Sequence, residues 1–96
     1  MNSKLIIKHL KEQKNNIKNT YQANILGLFG SFARREQKSG SDIDILVEFD
    51  QGADLFNFIS LSNYLEKILG KKIDLVSYPF LRPEIKSSVM KDLKKI

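Results

Sequence analysis

The chain has 96 residues, of which 42% are hydrophobic, and a net charge of +5. That is enough for one small domain, expected to span 1–96, with a single core. There is no cysteine, which excludes disulfides and thiolate metal centres and suits a reducing, cytoplasmic setting. No stretch has the length of a membrane-spanning helix, and the first residues lack the apolar core of a secretory signal.

Residues 3–20 predict one amphipathic helix. Leu5, Ile6, Leu10, Ile17 and Tyr21 recur at helical spacing, with Lys4, Lys8, Lys11 and Glu12 between them. Ser3 is placed to cap it. His9, the only histidine, has no partner nearby in sequence and reads as a bystander. Residues 24–29 (Asn-Ile-Leu-Gly-Leu-Phe) predict a short buried strand, in which Gly27 suggests close approach by another backbone. Gly30 breaks the run, Ser31 to Gln37 predicts a short helix, and 38–41 is a loop by composition.

Residues 42–49 predict a second strand, with Ile43, Ile45, Val47 and Phe49 on one face and Asp42, Asp44, Leu46 and Glu48 on the other. A helix over 55–69 follows, capped by Asp54 and ended at Gly70. Residues 72–77 predict a third strand. Pro83 opens a last helix with Ile85, Val89, Leu93 and Ile96 as its apolar stripe. The order is αβαβαβα, an α/β fold with helices flanking a small sheet. Only about ten residues join the first two strands, short for a parallel crossover, so they are expected to be antiparallel neighbours in a mixed sheet.

Charge is uneven along the chain. Residues 1–70 carry nine basic and eight acidic groups, whereas 71–96 carry seven and three. The C-terminal excess reads as a solvated lysine face. No aromatic residues are interleaved to stack bases, which argues against a nucleic-acid partner.

Two features point to chemistry. Asp42 and Asp44 share one face of a strand, roughly 6.5–7 Å apart along it. Paired carboxylates repel each other and are expensive to desolvate, and a hard cation such as Mg²⁺ relieves both costs. Gly30-Ser31, between a strand and a helix, lets the backbone turn tightly and offers free N–H groups and a hydroxyl to phosphate oxygens. Each feature alone has an ordinary explanation, as a solvent-facing strand end and a plain helix cap. The phosphate-loop signature with its lysine is absent. Asp74, flanked by Ile73, Leu75 and Val76, joins the aspartate pair if its strand lies beside the second. Three carboxylates could then hold two metal ions.

Gly30-Ser31, ten intervening residues and Asp42-Ile43-Asp44 resemble the signature of the DNA polymerase β-like nucleotidyltransferase superfamily. The run Phe29-Gly30-Ser31-Phe32-Ala33-Arg34, continued by Ser41-Asp42-Ile43-Asp44-Ile45-Leu46-Val47 and later Asp74-Leu75-Val76, is similar to its minimal nucleotidyltransferase group. The resemblance implies that Gly30 and Ser31 hold the phosphates of ATP and that Arg34 steadies the triphosphate. It implies that Asp42, Asp44 and Asp74 bind two Mg²⁺ ions, with Asp74 helping to deprotonate the acceptor hydroxyl. Arg35 is a departure, because many relatives have glycine there. Arg35 is strained if that position needs positive φ.

By the same resemblance the reaction is transfer of AMP from ATP to a hydroxyl. A chain this short has no room for a separate acceptor-binding domain. The acceptor must then dock across the open site or be supplied by a second protein, and the resemblance implies a tyrosine of a HEPN-type toxin, making the chain its antitoxin. Two alternatives stand beside this. One is a non-catalytic antitoxin that neutralises by binding alone. The other is modification of a small molecule, as in the aminoglycoside nucleotidyltransferases, which carry an extra helical domain.

Overall fold

A computed structural model describes all residues, 1–96. Two helices open the chain, α1 (Ser3–Glu12) and α2 (Lys14–Tyr21), followed by β1 (Ala23–Phe29), α3 (Gly30–Arg34), β2 (Ile43–Phe49), α4 (Leu55–Leu69) and β3 (Ile73–Ser77). A 3₁₀ turn (Tyr78–Phe80), α5 (Pro83–Asp92) and a two-residue strand β4 (Lys94–Lys95) complete it.

The sheet order is β3-β2-β1-β4. β1 and β2 are antiparallel, as the short connection requires, and β2 and β3 are parallel, joined across one face by α4. That fifteen-residue helix supplies the long crossover a parallel pair needs. It begins with a capping box. The Asp54 side chain accepts from Asn57 N–H at 3.2 Å, and the Asn57 side chain accepts from Asp54 N–H at 2.9 Å.

The sheet separates two cores. On one face Ile6 and Leu10 of α1, Ile17 of α2 and Leu61, Leu65 and Leu69 of α4 cover the inward residues Ile25, Ile43, Ile45 and Val47. On the other a smaller cluster joins Phe29 and Leu46 to Leu81 and Val89. The alternation along β2 divides it between the two faces as expected from its period of two.

Three local expectations change. The first helix is broken at Gln13, whose backbone leaves helical geometry (φ −96°, ψ 1°). The Gln13 side chain instead accepts a hydrogen bond from the Tyr64 hydroxyl on α4, so a tertiary contact fixes the break. The cap of α1 is Asn2, whose side chain accepts from Leu5 N–H at 2.9 Å, while Ser3 is buried in the first turn. The last helix ends at Asp92, short of Ile96, because the chain turns to add β4 against β1.

β4 explains Gly27. The pairing sets Gly27 against Lys95 and Leu28 against Lys94. A Cβ on Gly27 would run into the Lys94 carbonyl oxygen and lie 2.9 Å from Leu93 Cδ1. A backbone atom cannot give way as a flexible side chain can, so Gly27→Ala must push the C-terminal strand off the sheet. The expected loss is about 1–3 kcal/mol of stability, read by urea unfolding, with faster amide exchange at residues 93–96.

Candidate active site

Phe29 ends β1 opposite Asp44, and Asp44 lies in register with Asp74 on β3. The three positions form one row across the sheet. Gly30, the next residue after Phe29, has φ +75°, a conformation that L side chains rarely adopt. A Cβ there would also collide with the carboxylate of Asp44. Glycine is therefore required twice over at this position, by conformation and by the space Asp44 occupies. Ser31 follows in the first turn of α3, partly exposed.

Asp44 and Asp74 stand side by side on the parallel strands, Asp44 partly buried and Asp74 exposed. Asp42 precedes β2, partly exposed, and its charge reaches Asp44. The carboxyl of Asp44 is pushed up to about 6, first by burial, then by the neighbouring carboxyl of Asp74 and by the charge of Asp42, with Arg34 opposing. The three aspartates thus share one neighbourhood. As the side chains stand, they do not converge into a group of three able to enclose a metal ion.

Arg34 lies near enough for its charge to act on Asp44, and it is already engaged in ion pairs. Its guanidinium is tied at 2.8 Å to Asp92 at the end of α5 and at 3.0 Å to Glu36. No sequence signal marks Asp92 as its partner, because 58 residues separate them. Two concavities of the surface, of about 860 and 590 Å³, are lined by none of these residues except that Arg35 borders the first. The carboxylates stand on open surface, accessible to a large partner.

The sequence profile of the nucleotidyltransferase domain family matches residues 6–96. The chain belongs to that family. A Methanocaldococcus jannaschii protein assigned by name as a protein adenylyltransferase is 44% identical over 85 residues, which span 88% of this chain and 87% of that protein. The protein adenylyltransferase MntA of Thermococcus cleftensis is 37% identical over 84 residues, covering 88% of this chain and 85% of that one. Among solved structures, one described as a minimal nucleotidyltransferase superposes with a TM-score of 0.82 at 29% identity and covers 100% of this chain and 97% of that chain. A mutant MntA–HpeT toxin–antitoxin complex matches with a TM-score of 0.70 at 25% identity, covering 99% of this chain and 72% of that chain. This chain is a nucleotidyltransferase with the mixed α/β fold of the minimal group.

Within this nucleotidyltransferase the donor chemistry fits a hard dication. The candidate ligands are all carboxylate oxygens, and their mutual repulsion raises Asp44. Arg35 caps α3 with φ +61° and ψ +36°, so the position does demand the left-handed conformation. Arginine adopts it at a penalty of about 1 kcal/mol relative to glycine.

The raised Asp44 sets a pH dependence. Its folded value of about 6 lies above the ordinary 3.8, so between those values the folded state binds the extra proton. Stability of the metal-free protein therefore falls as pH rises from about 4 to 6. Because Asp44 is only half-buried, solvent screening leaves an effect on the order of 1 kcal/mol. Urea unfolding of the metal-free protein across that range should show this slope in the wild type. Asp44→Asn should lack it and be the more stable protein at neutral pH.

Proposed function

We propose that this nucleotidyltransferase moves AMP from ATP to a tyrosine hydroxyl on a HEPN-type toxin and so acts as its antitoxin. The observation that carries the reading is the Asp44–Asp74 pair beneath Gly30, with Asp42 beside it. The acceptor oxygen forms a bond to the α-phosphorus as the bond from that phosphorus to the pyrophosphate oxygen breaks. The hydroxyl proton passes to the exposed Asp74, and pyrophosphate leaves. Gly30 and Ser31 lie against the phosphates, since no side chain at Gly30 intervenes. Asp42, Asp44 and Asp74 are the residues that would hold Mg²⁺. When bound, Mg²⁺ offsets the charge of the triphosphate.

The relatives support the acceptor class. The Thermococcus protein is named for adenylyl transfer to protein, and the MntA–HpeT assembly is named as a toxin–antitoxin pair. The name of that complex records two aspartates, two positions apart, exchanged for glutamate. Asp42 and Asp44 have the same spacing.

Incubating the protein with its chromosomal neighbour, ATP and Mg²⁺ should add adenylate-sized mass increments to the neighbour, read by intact mass spectrometry. Asp42→Ala/Asp44→Ala should lower that transfer by about three orders of magnitude. If the double variant neutralises the toxin fully with no mass change, binding alone is the mechanism and the transfer reading is wrong.

Arg34 can steady the triphosphate only by leaving Asp92. Asp92→Asn removes that competitor and should tighten ATP binding about threefold, the size expected of an exposed ion pair. Calorimetric titration of both proteins with ATP and Mg²⁺ measures it.

A further inference from the structure

One concavity of the molecule plays no part in the site described above. It is a groove of about 860 Å³ between α1, the cap of α3 and β4. Lys4, Lys8 and Lys11 project into it from one face of α1, at intervals of four and three residues. Arg35 and Lys94 reach it from two other elements. All five are exposed, and none takes part in an ion pair. The one acidic residue in the lining, Glu12, lies at the far end and faces His9 at 3.6 Å. A solvated lysine face spreads its charges over convex surface. Here three separate elements aim theirs into one hollow, which concentrates the potential.

We propose that this groove docks an acidic segment of the acceptor protein and delivers it to the carboxylate shelf. The inference rests on the reading that the acceptor is a protein. Three features favour an acidic peptide over a nucleic acid. The lining contains no aromatic side chain on which bases could stack. Leu5, 40% exposed, and Ile7 lie among the lysines and suit the apolar residues of a peptide. The lysines span about 10 Å along the helix, a length that an extended peptide crosses in three or four residues and matches with alternate carboxylates.

Position links the groove to transfer. Arg35 ends the helix whose first residue is Gly30, a distance of about 7.5 Å. Two or three further residues of an extended chain cover it, which brings a hydroxyl beside Asp44 and Asp74. Arg35 also gives up backbone comfort for its place. At φ +61° glycine is the relaxed choice, yet the chain carries a cation that lines the groove.

The test is fluorescence anisotropy at low salt with a short fluorescein-labelled peptide of alternating glutamate and leucine. Lys4→Glu/Lys8→Glu/Lys11→Glu should weaken its binding at least about tenfold, and Arg35→Gly about threefold, with melting temperatures retained. Lys67→Glu/Lys86→Glu/Lys91→Glu, an equal change of net charge elsewhere, should leave it within about twofold of wild type. Equal loss in that control overturns the proposal, as does unchanged binding in the α1 variant. A single-stranded RNA of the same length that binds more tightly than the peptide, and loses that affinity in the α1 variant, also overturns it in favour of nucleic acid. Affinity for ATP with Mg²⁺ is measured separately and should be the same in wild type and the α1 variant. Absence of ATP binding to the wild type would count against the transfer reading, while the peptide result decides the groove.

Discussion

Two carboxyl groups held side by side on parallel strands are the constraint around which this small fold is arranged. The register of β2 and β3 places Asp44 directly beside Asp74, and their backbone positions are fixed while the ladder holds. Burial and like charge push Asp44 up to about 6, an unfavourable arrangement that a purely structural sheet would avoid. Everything that creates the register is therefore part of the site. α4 bridges the parallel pair, its capping box fixes where the crossover begins, and Leu61, Leu65 and Leu69 clamp it to the sheet. Gly30 completes the arrangement from the neighbouring strand, because any side chain there would displace Asp44.

The α3 segment shows a second tension. Arg34 and Arg35 stand next to each other but serve different surfaces. Arg34 is drawn toward α5 through Asp92, which ties the C-terminal helix to the rim of the site. Arg35 turns the other way, into the groove beside α1. A five-residue helix thus connects Gly30, packed against Asp44, at one end with a basic groove at the other. The C-terminal residues take part in both, since α5 holds Arg34 and β4 brings Lys94 to the groove. Detaching β4 would alter the groove without touching the carboxylates.

No helix is long and apolar enough to cross a membrane. Of the three carboxylates, Asp74 is exposed and Asp42 and Asp44 are partly so.

The sequence by itself determined the first three strands, the long α4 helix, the antiparallel first pair and the candidate site residues. Those follow from local periods, from the ten-residue spacing after Gly30-Ser31, and from aspartates in otherwise apolar strands. The positive φ at Arg35 was also legible, as a conflict between a residue type and a position. Tertiary structure alone decided the rest. The break at Gln13 depends on Tyr64 of a distant helix, β4 exists only because Gly27 leaves space for its carbonyl, and Arg34 is held by a residue 58 positions away. Sequence could place three aspartates near one another but not orient them. Whether their oxygens converge on a cation depends on side-chain rotation, which is not encoded in spacing along the chain.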